Sequence, residues 1–315
     1  MTTVVAVVAG LTGWVAGREP EAPAQLDPGQ QLFRLGYLPG PARLVRYDSD
    51  HDMQRIFVKG PAGGKPATKQ DGASPPPRDW AVEVQMAARG IDIHEEAREY
   101  ADEGGYRVPG DSVAPVRGRP AFQYETAAGR VLSWKYAPGG WMRVAVFGVD
   151  RPDEITRQVA EGIRWETAPL ALPFQAVKLP DGAVLRGVAW EWVENGPLIA
   201  YSHHLLKPIK KNSDYLQPDI VVGLTTKSLA SDRDNETNDV TVSGRAATAA
   251  DWRKGIGGIY RVGQLPGGCA RCVAEVRTPT RRGDAAVGGR KSGLELAASI
   301  RLVNGHEDPA RWRPL

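Results

Sequence analysis

Four segments of this 315-residue chain occur twice, in the same order. "LFRLGYLPGPARL" from Leu32 matches "PFQAVKLPDGAVL" from Pro173, with Phe33 over Phe174 and Leu38-Pro39 over Leu179-Pro180. "VRGRPA" from Val116 matches "VSGRAA" from Val242, and "APGGWMRVAVF" from Ala137 matches "LPGGCARCVAEV" from Leu265. "ITRQVAEGIR" from Ile155 corresponds to "SGLELAASIR" from Ser292. The separations are 141, 126, 128 and 137 residues, so whatever the first half folds into, the second is expected to repeat. A chain of this length also exceeds the size at which one core stops growing, which favours division into two domains.

Each half reads as strand-rich. "WAVEVQM", Trp80 to Met86, places Trp80, Val82, Val84 and Met86 on one face at period two, and "DIVVGL" at Ile220 is its counterpart. Hairpins follow around Pro138-Gly139-Gly140 in the first half and around Pro266-Gly267-Gly268 in the second. Each half then ends on a helical pattern. Ile155, Val159 and Ile163 form an apolar stripe in the first; Ser292 and Glu295 fit a capping box before Leu296 and Ile300 in the second, with Gly305 as a C-terminal cap. The expected class is α+β: two tandem copies of an antiparallel sheet with a C-terminal helix packed on one face. The expected boundaries are a hydrophobic segment at 1–17, a linker at 18–29, a first repeat at 30–165, a linker at 166–170, a second repeat at 171–305 and a tail at 306–315.

Both cysteines of the chain lie in the second copy of the P-G-G hairpin, where Cys269 stands over Trp141 and Cys272 over Val144. The repeated unit therefore does not require a thiol. In a regular strand, residues three apart point to opposite faces and lie about 10 Å apart, so a bond between them requires the segment to turn, which Pro266, Gly267 and Gly268 permit. A small structural disulfide loop is the favoured reading. Two unpaired core thiols, a redox pair and half a zinc site remain as alternatives, and no complete metal site is expected.

The N-terminus carries the address. "TTVVAVVAGLTGWVAG", residues 2–17, has no charged residue and would rise about 24 Å as a helix, against a hydrocarbon core of about 30 Å. A Pro-bearing polar linker follows, which suits an export signal or membrane anchor better than a buried soluble helix. The expected location is the cell membrane with the folded part extracytoplasmic, or secretion, and the membrane is contacted through residues 2–17. With 40 basic and 37 acidic residues interspersed, no block of charge suited to nucleic acid stands out.

Searching for chemistry yields little. There is no G-x-S-x-G elbow, phosphate-binding G-x-x-x-x-G-K-[ST] loop or dinucleotide G-x-G-x-x-G fingerprint. "IHEEAREY" has Arg98 where an H-E-x-x-H helix needs its second ligand, and the acidic run at Asp232, Asp234 and Glu236 lacks the glycine and terminal glutamate of a calcium loop. No catalytic residue, cofactor or metal is assigned. The best ligand constellation is "AWEWVENGPLIAYSHHLL", expected to bring Trp190 and Trp192 to one strand face and Tyr201 with His203 to the facing strand after an Asn195-Gly196 turn. Such an aromatic face suits a sugar or peptide. Packing in the core, or along a seam between the copies, is the more common use of such residues.

A short Ala/Val/Gly-rich segment, a Pro-bearing linker and units carrying "LPxG", "V-x-G-R-x-A", a hairpin and an amphipathic helix together resemble actinobacterial membrane-anchored or secreted envelope proteins. In those proteins a single membrane segment, sometimes attached to an anti-sigma-factor region, carries an uncharacterised sheet-and-helix domain. The resemblance implies an extracytoplasmic domain and transfers no catalytic residue; this chain starts almost directly with the hydrophobic segment, so an anti-sigma role is not carried over. The expected function is a non-enzymatic binding or sensing module. The alternatives are an envelope hydrolase with a site between the repeats using His203 or His204, and a structural partner of another envelope protein.

Overall fold

The computed structural model describes residues 23–61, 79–95, 98, 108–126, 129–175, 178–192, 199–206, 217–225, 237–252, 256–265, 269, 271–306 and 311–314. The chain divides into two compact units, Met1–Ala168 and Pro169–Leu315. The hydrophobic segment at 2–17, the Asn195-Gly196 turn and the acidic run at 232–236 lie outside the described residues.

In the first unit β1 (Gln30–Leu35) is followed by β2 (Arg43–Asp50), β3 (Met53–Gly60), β4 (Trp80–Ala87), β5 (Asp111–Val116), β6 (Arg119–Thr126), β7 (Gly129–Ala137) and β8 (Gly140–Phe147). Then come helix α1 (Pro152–Gly162) and β9 (Ile163–Pro169). Seven strands pair antiparallel in the order β2-β3-β4-β8-β7-β6-β5, and β9 pairs with β1. Cross-strand partners share a face, so the register builds the core in rows: Val84, Val144 and Leu132 in one, Met86, Met142 and Trp134 in the next. All six are buried. Burying each such side chain contributes about 1.5–3 kcal/mol. Ile155 and Val159 of α1 are buried, and the helix lies on β7 and β8.

The second unit has β10 (Ala171–Leu172), β11 (Phe174–Gln175), β12 (Val184–Glu191), β13 (Ile199–Leu205), β14 (Ile220–Thr225), β15 (Thr237–Val242), β16 (Arg245–Trp252), β17 (Gly257–Val262) and β18 (Val273–Arg277). Helices α2 (Arg281–Val287) and α3 (Gly289–Ser299) and the short strands β19 (Arg301–Leu302) and β20 (Arg313–Pro314) complete it. The strand order is β12-β13-β14-β18-β17-β16-β15, with β11 paired to β19 and β10 to β20. Counted within each unit, the seven principal strands follow the same first-second-third-seventh-sixth-fifth-fourth order. The V-x-G-R segments make equivalent two-residue turns: Val116 pairs Arg119 and Val242 pairs Arg245. Both central residues have positive φ, Arg117 and Gly118 in one turn and Ser243 and Gly244 in the other. That is the turn geometry matching the twist of a tight hairpin, and glycine occupies its second position at no steric cost.

Helix α3 packs against β17, where Gly293 lies so close to Tyr260 that a Cβ there would overlap the ring. A polar clamp fixes the helix pair. Thr280 caps α2 by accepting from the Gly283 N–H at 3.0 Å, and Tyr260 donates its hydroxyl to Asp284. Asp219 accepts from Leu206 N–H at 2.9 Å, from Thr280 Oγ1 at 2.7 Å and from the Arg282 guanidinium. Burial pushes the Asp219 carboxyl up, but Arg282, the Leu206 N–H and Thr280 together hold it below the ordinary carboxylate range.

The expected class requires correction. Strands make up 54% of the described residues, among which only three helices occur, so this is a sheet protein and not α+β. Fourteen strands pair antiparallel, seven in each unit, which is a much larger share of sheet than two sheet-plus-helix copies supply. Nor does a helix close either unit. The chain leaves α1 directly into β9, and α3 is followed by β19 and β20. The capping box is corrected too: α3 begins at Gly289, so Ser292 lies inside it, and the helix ends at Ser299, well before Gly305. Alternation needs several residues to show, so the two-residue strands β10, β11, β19 and β20 carried no signal, and the seven-residue β9 fell across the expected end of the first repeat and the 166–170 linker.

Candidate functional site

The sheet of the second unit separates the four residues expected to form one ligand face. Trp190 pairs with Ala200 and Ala189 pairs with Tyr201, so Trp190 shares a face with Ala200, Ser202 and His204, whereas Tyr201 and His203 project from the opposite face. Trp190 is 4% exposed and meets Trp312 edge-to-face, with ring centroids 5.4 Å apart. Its role is packing. Trp192 lies just past the end of β12 and is half-buried. Tyr201 and His203 are also half-buried.

Around Tyr201 and His203 the register assembles a charged cluster. Tyr201 is level with Gly223 of β14, Gly223 with Glu275 of β18, and Glu275 with Arg261 of β17. His203 is level with Val221, which pairs with Arg277. The Tyr201 ring fills the space over Gly223, where a Cβ would overlap it. Arg261 Nε contacts Glu275 Oε2 at 2.6 Å, with both side chains 2% exposed. Arg277 Nε contacts Glu275 Oε1, also at 2.6 Å, and the Arg277 guanidinium lies 4.7 Å from the Tyr201 ring centroid. Arg277 is 27% exposed, so the cluster reaches solvent through it. This arrangement is a cation–π platform backed by a buried ion pair.

Burial, followed by the charges of Arg277 and Arg186, pushes the His203 imidazole down to about 4. Arg186 sits at the register shift between Leu185 and Gly187, where a bulge re-aims its side chain. His203 is therefore neutral at physiological pH. Burial, then Glu275, raises the Tyr201 hydroxyl, which stays protonated and able to donate. Arg261 and Arg277 share the Glu275 carboxylate, and Arg277 and Arg186 both act on His203. Sequence reading missed Glu275 and Arg277, although "VAEVR" already placed both at period two on one strand face, the signature of charge inside a sheet.

On the other face His204 Nε2 lies 3.1 Å from Ser202 Oγ, the distance of an activated nucleophile. The pair does not suit hydrolysis. Both residues are buried, and among the described residues His204 Nδ1 has no hydrogen-bond partner and no carboxylate orients the ring.

Cys269 and Cys272 are at disulfide-bonding distance, with Cα atoms 5.3 Å apart. Cys272 N–H donates to Cys269 O at 3.3 Å, so the segment turns just before β18, whereas in the first unit Trp141 and Val144 are already within β8. A third potential ligand, His306, stands beside the two sulfurs.

Among the described residues no helix is long and apolar enough to cross a membrane. No protein-family model, curated protein or solved structure matches the chain.

Proposed function

We propose that this chain is a non-enzymatic extracytoplasmic binding module, membrane-tethered or secreted, whose ligand face is the Tyr201–His203–Arg277 surface of the second unit. The ligand class is a small molecule bearing a carboxylate or phosphate. The observation that carries this reading is the position of Arg277, spread over the Tyr201 ring while sharing Glu275 with the buried Arg261. A guanidinium fixed in this way is pre-organised for an anion and loses little side-chain freedom on binding. The aromatic ring offers an apolar surface for the rest of the molecule.

The address rests on the uncharged segment at 2–17 and on the paired cysteines, since disulfides persist in oxidising compartments. The resemblance to actinobacterial envelope proteins belongs to the same reading. Cell fractionation with sequencing of the mature N-terminus tests it, and a chain found only in the cytosol refutes it.

Binding is tested by calorimetric titration of the full chain with succinate, inorganic phosphate and glucose. The expected result is saturable binding of at least one anion and none of glucose, with Arg277→Gln weakening it at least tenfold. Equal affinity in Arg277→Gln, or no anion binding at millimolar concentration, removes this face as the ligand site.

A further inference from the structure

Cys269, Cys272 and His306 form the one group among the described residues in which three metal-ligating side chains converge, with their ligand atoms within 4.8 Å of one another. Sequence spacing gave no hint of the third member, because His306 follows Cys272 by 34 positions. The fold brings it back through α2, α3 and β19. His306 is 8% exposed, and its Nδ1 is buried without a hydrogen-bond partner among the described residues. Burying a polar nitrogen with nothing to bind costs stability, so an orphan imidazole beside two sulfurs requires an explanation. Its backbone is held independently, since the His306 carbonyl accepts from Trp312 Nε1 at 2.8 Å.

We propose that Cys269, Cys272 and His306 constitute a redox-gated zinc site, closed as a disulfide when oxidised and competent for Zn2+ when reduced. Two thiolates and an imidazole are a borderline-soft donor set that suits Zn2+. A tetrahedral ion about 2.3 Å from each sulfur and about 2.0 Å from the nitrogen separates its ligands by about 3.5–3.8 Å. The observed spread of up to 4.8 Å requires only a small inward movement of the imidazole, together with parting of the sulfurs. The turn made by Cys272 N–H and Cys269 O already presents both sulfurs to one side. The fourth position is taken by water.

Opening the site is a two-electron step. A dithiol reductant attacks the Cys269–Cys272 bond and its own two thiols close into a disulfide, so two electrons and two protons pass to the protein and leave two cysteine thiols. Zn2+ then displaces those two protons as it binds the thiolates. Oxidation reverses the sequence and expels the ion, so disulfide and metal exclude one another.

The test is a titration of the full chain with Zn2+ against a chromophoric chelator, before and after reduction and removal of the reductant. One equivalent is expected in the reduced chain and none in the oxidised chain. His306→Ala should weaken binding at least about tenfold. X-ray absorption of the wild-type zinc complex supplies a reading that does not depend on any variant folding: two sulfurs and at least one nitrogen in the first shell. Binding to the oxidised chain, no binding to the reduced chain, affinity unchanged in His306→Ala, or a sulfur-free first shell overturns the proposal.

Discussion

Replacing Glu275 with Gln tests the buried ion cluster directly. Arg261 is 1% exposed and Glu275 2%, so neither charge is solvated, and the two meet at 2.6 Å. Arg277 meets the second carboxylate oxygen and can turn toward water, but Arg261 cannot. Glu275→Gln therefore leaves one guanidinium buried against a neutral amide, a loss of about 3–5 kcal/mol. The double variant Arg261→Met/Glu275→Leu removes both buried charges, and because desolvating an ion pair costs nearly as much as its attraction returns, it should lie within about 1–2 kcal/mol of the parent. Urea denaturation of the parent, Arg261→Met, Glu275→Leu and the double variant closes the cycle, with intrinsic fluorescence and circular dichroism required to report the same transition. A Glu275→Gln loss below about 1 kcal/mol, or a double variant as unstable as the sum of the singles, refutes the argument that these charges are mutually dependent.

Acid should unfold the chain in a defined window. Burial pushes His204 down to about 4 from an ordinary value of 6.5, so between those values the unfolded state binds a proton that the folded state does not. The corresponding stability is complete above pH 6.5 and is lost as pH falls toward 4, to roughly 3 kcal/mol for this 7%-exposed ring, and His204→Leu should flatten the slope of stability against pH. Trp190→Ala should cost about 3–5 kcal/mol in urea midpoints while leaving anion titrations of the folded protein unchanged, because its ring packs on Trp312 away from Tyr201. Gly118→Ala meets no atom within 4 Å and should cost only the left-handed backbone, about 1–2 kcal/mol, whereas Gly293→Ala must displace the Tyr260 ring and should cost about 1–3 kcal/mol with a shift in near-ultraviolet circular dichroism.

Several local features were legible in the residues because their causes are local. Period-two apolar residues make β4 a strand, the stripe Ile155 and Val159 makes α1 a helix, and V-x-G-R and Pro138-Gly139-Gly140 mark turns because glycine tolerates positive φ, while Pro266, Gly267 and Gly268 lie outside the described residues. The turn required for Cys269 to meet Cys272 followed from strand geometry. Pairing partners did not follow. Which face Tyr201 occupies depends on its register with Ala189, and a one-residue slip exchanges the faces of a whole strand. The helix α2 was hidden because "RRGDAAV" carries almost no apolar stripe; it is held by the Thr280 cap and the Asp219–Arg282 pair.

The sequence by itself determined the alternation of the longer strands and the tight turns, since each follows from the stereochemistry of a few adjacent residues. Only the tertiary structure decided that Arg261, Glu275, Arg277 and Tyr201 share a surface, and that His306 returns to two cysteines 34 or more positions earlier. The reason is physical: antiparallel pairing joins residues far apart in the chain, and the free energy that selects a register comes from burying whole faces, which no short window of sequence contains.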